Sequence, residues 1–132
     1  MSANLLLKAV VARLAADAEL TAITGPGRIF DRPVTRAEPP YLVLGEMTSS
    51  DFGTGDGAMS EHRFEIDAWC GQNGRRQAAE LAEAVRAALH DADIALEGAV
   101  LVTLRHERTL TRRVPKSGFH VARVRFRAVT EP

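Results

Sequence analysis

The chain has 132 residues, and its 17 basic residues balance its 17 acidic residues, so the net charge is zero. We expect one domain over residues 1–132, because this length can bury a substantial core. The neutral charge argues against a nucleic-acid-binding protein, and the lone Cys70 excludes an internal disulfide framework. Lys8 and Arg13 interrupt the N-terminal apolar run, so we find no signal peptide, and no segment approaches the ~18 apolar residues of a membrane span. We therefore expect a soluble protein of a reducing cytoplasm, without a membrane partner.

The N-terminal part of the chain predicts one long helix and then irregular structure. Apolar residues at four-residue spacing predict a helix over residues 3–17. Residues 19–24 add a short turn that a Gly-Pro-Gly sequence stops, and residues 28–31 form at most a brief edge strand. Three prolines make residues 32–40 an irregular crossing loop. Residues 41–49 are the first clear strand.

The middle of the chain predicts a hairpin followed by a helix. Residues 50–59 contain three alternating glycines and are interpreted as a long flexible hairpin tip. Residues 60–69 alternate between apolar and charged side chains, which predicts a half-buried strand. Asn73 is the expected N-cap of a helix over residues 74–90, whose apolar residues form one stripe.

The C-terminal part predicts a second hairpin. Gly98 precedes a strand over residues 99–110, a basic loop covers residues 111–118, and a last strand covers residues 119–130. The predicted order is therefore helix, strand, strand, helix, strand, strand. Two helices can cover only one face of such a sheet. We predict an α+β fold: a four-stranded sheet, mainly antiparallel or mixed, with two helices on one face and the other face open.

Arginine occupies every second position in part of the last predicted strand, at Arg123, Arg125 and Arg127, with Val124 and Phe126 between them. Period-two alternation places the arginines on one face and the apolar residues on the other. Like charges on one face repel each other unless carboxylates or a partner lie opposite. We therefore interpret this strand as half core and half contact surface.

The predicted strand over residues 60–69 also has a charged face, which contains Arg63, Glu65 and Asp67. Its two carboxylates would lie opposite arginines of the last strand if the two strands are neighbours. We include these three residues with the arginines as candidate contacts with a protein partner.

The charge is divided along the chain. Residues 99–132 hold eight basic and two acidic residues, a net charge of +6, so residues 1–98 carry −6. Two surfaces of opposite charge suit head-to-tail contact between copies. The alternative is that the two halves neutralise each other within one fold.

Two predicted loops are further candidates for contact with a protein partner: Asp51, Phe52 and Asp56 at the glycine-rich tip, and Arg112 and Arg113 in the basic loop. The tip lacks the lysine and the following helix of a phosphate-binding loop, and it lacks the twelfth-position glutamate of a calcium loop. The chain has too few free aromatic residues for a stacking platform. Contact of the basic loop with a phosphate backbone is the remaining alternative there.

No group of residues predicts catalysis. A last hairpin centred on Arg113 would place His106 opposite His120, but two imidazoles are too few for a zinc site. Cys70 follows Trp69 at a strand end, where a lone cysteine is usually a small apolar residue, and the chain has no Gly-x-Ser-x-Gly motif. We expect no enzymatic activity, no metal and no cofactor.

Several segments resemble motifs of the tail-completion, or tail-terminator, proteins of long-tailed bacteriophages and gene transfer agents. They are Gly27-Arg-Ile-Phe-Asp31, Pro33, Pro39-Pro-Tyr-Leu-Val-Leu-Gly45-Glu, Asp67-Ala-Trp69, Glu83-Ala-Val-Arg-Ala-Ala-Leu-His90 and Arg123-Val-Arg-Phe-Arg127. The resemblance spans most of the chain, and its motifs are structural rather than catalytic. The family pattern assigns no contact residues that can be carried over to positions of this sequence.

The resemblance implies a small α+β subunit that forms a six-membered ring with other copies of itself. Such a ring caps the growing tail tube, ends its polymerisation and joins the tube protein to a neck or head-completion protein. The subunit would be made in the host cytoplasm and end in the tail of a phage or gene-transfer-agent particle.

Two other classes of function stay open. A small α+β ligand-binding domain or enzyme would gather polar groups in a deep pocket. A regulatory nucleic-acid-binding protein would bind DNA with strong salt dependence, although the zero net charge argues against it.

Overall fold

The structure is a computed structural model that describes residues 2–32, 38–52 and 59–132. These residues form three helices and five strands. The helices are α1 (Ser2–Ala15), α2 (Ala18–Thr24) and α3 (Arg75–Leu89), and the strands are β1 (Ile29–Phe30), β2 (Tyr41–Phe52), β3 (Met59–Cys70), β4 (Val100–Arg113) and β5 (His120–Glu131). Within the described ranges, the structure contains no helix with the length and apolarity needed to cross a membrane.

The strands form a single mixed sheet in the order β1-β2-β3-β5-β4. All neighbours are antiparallel except β1, which runs parallel to β2 with Ile29 opposite Leu42. The α+β class and the mainly antiparallel or mixed sheet are confirmed, but the predicted four strands and their element order are wrong. The brief strand near residue 29 joins the sheet because the Leu42 N–H donates to the Arg28 carbonyl at 2.9 Å. A two-residue strand is too short to show an alternating pattern.

The described residues form three helices, not the two predicted. The segment expected to be only a turn is helix α2, and the Asp17 carboxylate caps it by accepting from the Leu20 N–H at 3.0 Å. Asn73 is not the N-cap of α3, because Gly74 occupies that position without a side-chain cap. A Cβ at Gly74 would lie 2.7 Å from the Cys70 Cβ, so the close approach of the chain there requires glycine.

The core lies between the helices and one face of the sheet. The rings of Phe64 on β3 and Phe126 on β5 stack with their centroids 5.4 Å apart, and both side chains are buried. The helices contribute Leu6, Val10, Leu14, Leu81, Val85 and Leu89 to the same cluster. The even-numbered positions of β5 therefore face the helices, as the alternating pattern predicted.

Three of the strands are longer than predicted. β2 continues to Phe52 and β3 begins at Met59, so the predicted tip shortens to residues 53–58, which lie outside the described residues. β4 continues through Arg113, so part of the predicted basic loop is strand. The turn that follows is closed by the Val114 N–H, which donates to the Phe119 carbonyl at 2.7 Å.

The predicted register of the last hairpin is wrong. His106 lies opposite Phe126, and His120 lies opposite Arg113. The prediction centred the hairpin on Arg113, whereas the turn lies beyond that residue and a bulge follows His106. A bulge shifts the pairing by one residue and leaves no simple trace in the sequence.

A buried histidine links three parts of the fold on the helix side of the sheet. His62 is 1% exposed, and its Nδ1 lies 2.7 Å from the Ser49 Oγ of β2. Its Nε2 lies 3.0 Å from the Thr130 Oγ1 of β5 and 3.3 Å from the Ser2 Oγ of α1. Burial lowers the pKa of His62 below its ordinary value, because the charged imidazolium is poorly solvated there.

Candidate functional site

The face of the sheet opposite the helices carries two neighbouring rows of charged side chains, one on β3 and one on β5. We call this set the charged face. It comprises Glu61, Arg63, Glu65, Asp67, Arg123, Arg125 and Arg127.

The predicted opposition of carboxylates and arginines is confirmed. Asp67 lies opposite Arg123, and Glu65 lies opposite Arg125. The Arg123 Nε and Nη2 donate to the two Asp67 oxygens at 3.0 and 3.2 Å, a bidentate ion pair. The hydrogen bond to Asp67 raises the pKa of the Arg123 guanidinium, and the nearby charge of Glu65 acts in the same direction.

Glu65 links two of the arginines. Its Oε1 lies 2.7 Å from the Arg125 Nη2, and its Oε2 lies 3.0 Å from the Arg123 Nε. The backbone of β2 comes close at this point, because a Cβ at Gly45 would lie 3.2 Å from the Glu65 Cβ. Glu65 is therefore held between β2 and the arginines of β5.

Glu61 resolves a like-charge contact in the same face. Arg63 lies directly opposite Arg127, a pairing that would be repulsive by itself. Glu61 accepts from the Arg63 Nη1 at 2.6 Å and from the Arg127 Nε at 2.8 Å, and Glu107 accepts from the Arg63 Nε at 3.3 Å. The hydrogen bond from Arg127 is the main reason that the pKa of Glu61 is lowered.

Sequence reasoning missed both Glu61 and Glu107 as partners of the arginines. The period-two pattern of β3 continues back from Asp67 to Glu61, so the sequence contained a signal for the first. It contained none for Glu107, which reaches Arg63 from β4 across the intervening strand β5.

The charges of this face are therefore paired within the subunit, which matches the alternative that opposite charges neutralise each other inside the fold. The arginine side chains are nevertheless partly exposed to solvent: 45% for Arg123, 37% for Arg125 and 33% for Arg127. Contact of these residues with another protein remains a prediction.

Strand β4 adds arginines that the sequence analysis did not select. Arg105 lies opposite Arg127 and Arg108 lies opposite Arg125. The bulge between His106 and Arg108 places both arginines on the charged side, whereas simple alternation would put them on opposite faces. Arg105 is 3.6 Å from Asp91, while Arg108 has no ion pair with a described residue.

The predicted loop residues do not come together. Asp51 is exposed near the end of β2, and it is level with Leu101 across the sheet. Arg112 and Arg113 lie at the opposite end of the sheet, on β4. The side chain of Phe52 and all of residues 53–58, including the predicted contact Asp56, lie outside the described part of the chain.

An aromatic cluster occupies one end of the same side of the sheet. Tyr41 stacks on Trp69 with their ring centroids 6.4 Å apart, and Phe30 contacts Tyr41 edge-on at 5.8 Å. The Arg28 guanidinium lies 6.0 Å from the centroid of the Tyr41 ring. Burial raises the pKa of Tyr41, and the nearby charge of Arg28 partly opposes that shift.

The charged face offers little to a small ligand. The groove on the charged face has a volume of about 230 Å³, below the roughly 300–1,000 Å³ of small-molecule pockets. Cys70 is buried opposite His120, and burial raises the pKa of its thiol to about 11. Within the described ranges, no group of three or more His, Cys, Asp or Glu side chains is placed to hold a metal ion.

The structure thus combines an α+β fold with an ion-paired sheet face that the helices leave uncovered. The family model for tail completion protein gp17 matches residues 8–131. The chain therefore belongs to the family of tail completion proteins, which makes it a structural protein of a phage or gene-transfer-agent tail.

A solved structure of the virion of a native gene transfer agent particle contains a chain of the same fold. That chain is 34% identical, with a TM-score of 0.87, and the match covers 96% of this chain and 95% of that one. No curated protein is a significant match to this chain. The resemblance to tail-completion proteins is thus confirmed.

Proposed function

We propose that this protein is a tail terminator: six copies form a ring that caps the tail tube, ends its polymerisation and joins the tube to a neck or head-completion protein. The proposal is carried by the family match over residues 8–131 together with the 34% identity to a chain of a gene-transfer-agent virion. The subunit is made in the host cytoplasm and is then incorporated into the particle tail.

The charge distribution supports a ring. A ring uses heterologous contacts, so each subunit must present two different surfaces. The arginines of β5 are paired with carboxylates of β3, so the difference lies at the two sides of the sheet. The β4 side carries Arg108, Arg112 and Arg113, and the β2 side carries Glu46 and Asp51. Electrostatic complementarity of this kind sets orientation and partner choice more than raw affinity.

The charged face supports a contact role for its arginines and carboxylates. Its arginines are partly exposed although each is paired. In the proposed ring, this face lies at a subunit contact or along the ring channel. Asp51 lies on the β2 side of the sheet and Arg112 and Arg113 lie on the β4 side, so they suit the two different surfaces that a ring contact needs.

Electron microscopy of particles from a deletion strain tests the proposed function. We expect tails that are overlong or not joined to heads, and we expect the wild-type gene supplied in trans to restore joined particles of normal tail length. Joined particles with normal tails in the deletion strain would refute the proposal.

A further inference from the structure

Among the described residues, the large apolar side chains that are exposed all lie on the outer strand β4. They are Val100 at 52%, Val102 at 45% and Leu110 at 49%. Residues 107–113 are exposed throughout, on both sides of the sheet. An edge strand with exposed apolar residues is a template for pairing with another strand.

The free part of this edge can be located from its hydrogen bonds. The Leu104 carbonyl accepts from the Asp91 N–H at 2.8 Å, and the His106 N–H donates to the His90 Nδ1 at 3.0 Å. These bonds occupy outward-facing backbone groups in the middle of β4, so that part of the edge is not free. No described residue pairs with the outer edge of residues 107–113, which we call the arginine edge.

The opposite side of the sheet has a second free edge. β1 pairs only with Leu42 and Val43 of β2. Beyond them, residues 45–52 have no described strand partner on that side, and we call this segment the acidic edge. It contains Glu46 and Asp51 and no basic residue.

We propose that the arginine edge of one copy pairs as an antiparallel strand with the acidic edge of the next copy, so that the sheets of neighbouring subunits become continuous. This inference rests on the proposed ring and names its subunit contact. The two segments match in length, with seven and eight residues. In a closed ring, each copy then covers both free edges, which removes the aggregation risk of an exposed edge.

The charges of the two edges favour pairing of an arginine edge with an acidic edge. The arginine edge contains Arg108, Arg112 and Arg113, and its single carboxylate, Glu107, is already bonded to Arg63. Two arginine edges or two acidic edges side by side would place like charges opposite each other, which is destabilising. Head-to-tail pairing is the arrangement that places opposite charges together, and it produces rings rather than two-fold dimers.

Strand direction is consistent with the same arrangement. The four long strands β2, β3, β5 and β4 alternate in direction across the sheet. A ring relates copies by rotation, which preserves strand direction when the strands run largely along the ring axis. β4 of one copy therefore meets β2 of the next in the antiparallel sense, and the alternation continues around the ring.

The position of the two edges also sets the strand tilt. Leu110, in the middle of the arginine edge, is level with Val43 across the sheet, whereas the acidic edge is centred near Ser49. Because a bulge lies between Leu44 and Met47, pairing them displaces the next copy by about five ladder positions, or ~17 Å, along the strands, against a width of ~19 Å for four strands. The resulting tilt of about 42° lies within the range for closed barrels.

A charge swap tests the pairing. R108E/R112E reverses the arginine edge, E46R/D51R reverses the acidic edge, and a third chain carries all four substitutions. Each chain is supplied to the deletion strain, and joined particles are counted by electron microscopy. We expect at least tenfold fewer particles with either double variant, and recovery to at least a third of the wild-type count with the fourfold variant, because its two edges are again complementary.

The matched control is R75E/R76E, which makes the same charge change at exposed positions of α3 away from both edges; its particle count should equal that of wild type. Unchanged counts with R108E/R112E, or a fourfold variant no better than the double variants, would overturn the edge pairing. Circular dichroism checks the fold of every chain. If a charge-reversed variant does not fold, the neutral variants R108Q/R112Q and E46Q/D51Q replace it. Each neutral variant should lower the number of joined particles at least threefold. An unchanged number would overturn the pairing.

The failures of the two proposals are distinguishable. Normal joined particles in the deletion strain itself would refute the tail-terminator function. A defective deletion strain that R108E/R112E restores fully would leave that function intact and refute only the pairing of the arginine edge with the acidic edge.

Discussion

Arg123 donates through Nε and Nη2 to both carboxylate oxygens of Asp67, at 3.0 and 3.2 Å across the β3–β5 strand pair. Asp67 is only 8% exposed, whereas the Arg123 side chain keeps 45% of its exposure. The carboxylate thus depends on this arginine for its hydrogen bonds, while the arginine still reaches solvent. One ion pair can therefore stabilise the sheet and present charge to a partner.

We expect R123A to destabilise the fold, because it leaves the nearly buried Asp67 carboxylate without its bidentate partner. The expected loss in the free energy of unfolding is about 1–3 kcal/mol, measured by urea denaturation at neutral pH. R75A is the matched control, since Arg75 is exposed and has no ion pair with a described residue; it should change stability by less than ~0.5 kcal/mol. Equal stabilities of the two variants would contradict this prediction.

Substitutions of Glu65 and Arg125 can show whether the charged face only stabilises the subunit or also contacts another protein. R125E alone places two carboxylates opposite each other and should lower both the melting temperature and the number of joined particles. E65R/R125E restores opposite charges across the strands, so we expect most of the melting temperature to return. If the face also contacts another protein, particle assembly should stay impaired. Full recovery of assembly in E65R/R125E would show that the pair acts only within the subunit.

Stability should fall when the pH drops below about 6.5, the ordinary pKa of histidine, because His62 has a lowered pKa in the folded state. In this window the unfolded chain binds a proton that the folded chain does not, so stability rises with pH. Melting temperatures from pH 5 to pH 8 measure the slope. H62Q should flatten it, whereas H106Q, at a half-buried position, serves as the control. An identical slope in H62Q would contradict the prediction.

Glu61 acts in a different pH window. Its folded-state pKa is lowered, chiefly by the hydrogen bond from Arg127, so its stabilising effect is present above its ordinary pKa near 4.5 and is lost as the pH falls through its folded-state pKa. The two effects begin at different pH values, since the effect of His62 starts below about 6.5 and that of Glu61 below about 4.5.

The Cys70 thiol should be unreactive in the native protein. It is 0% exposed, and burial raises its pKa to about 11, so little thiolate forms at pH 8. We expect a disulfide reagent such as DTNB to label it at least a hundredfold more slowly in native buffer than in urea. T109C introduces a second thiol at an exposed position of β4 and should react rapidly without denaturant. Rapid labelling of the native wild-type chain would contradict the prediction.

The predictable part of the site came from local patterns. Alternation in β3 and β5 was enough to assign Arg123, Arg125, Glu65 and Asp67 to one face, and the structure places the carboxylates opposite the arginines. The same patterns could not place Arg105 and Arg108 together, because the bulge after His106 changes the phase of β4.

The sequence by itself determined which residues of α1, α3, β3 and β5 face the core, and it determined the family, because periodicity and local motifs are properties of short segments. The tertiary structure decided the fifth strand, the register of the last hairpin and the position of the free edges at residues 45–52 and 107–113. These depend on pairing between segments far apart in the chain and on turns and bulges that shift that pairing. A shift of one residue reverses the face of every side chain that follows, so no local pattern specifies it.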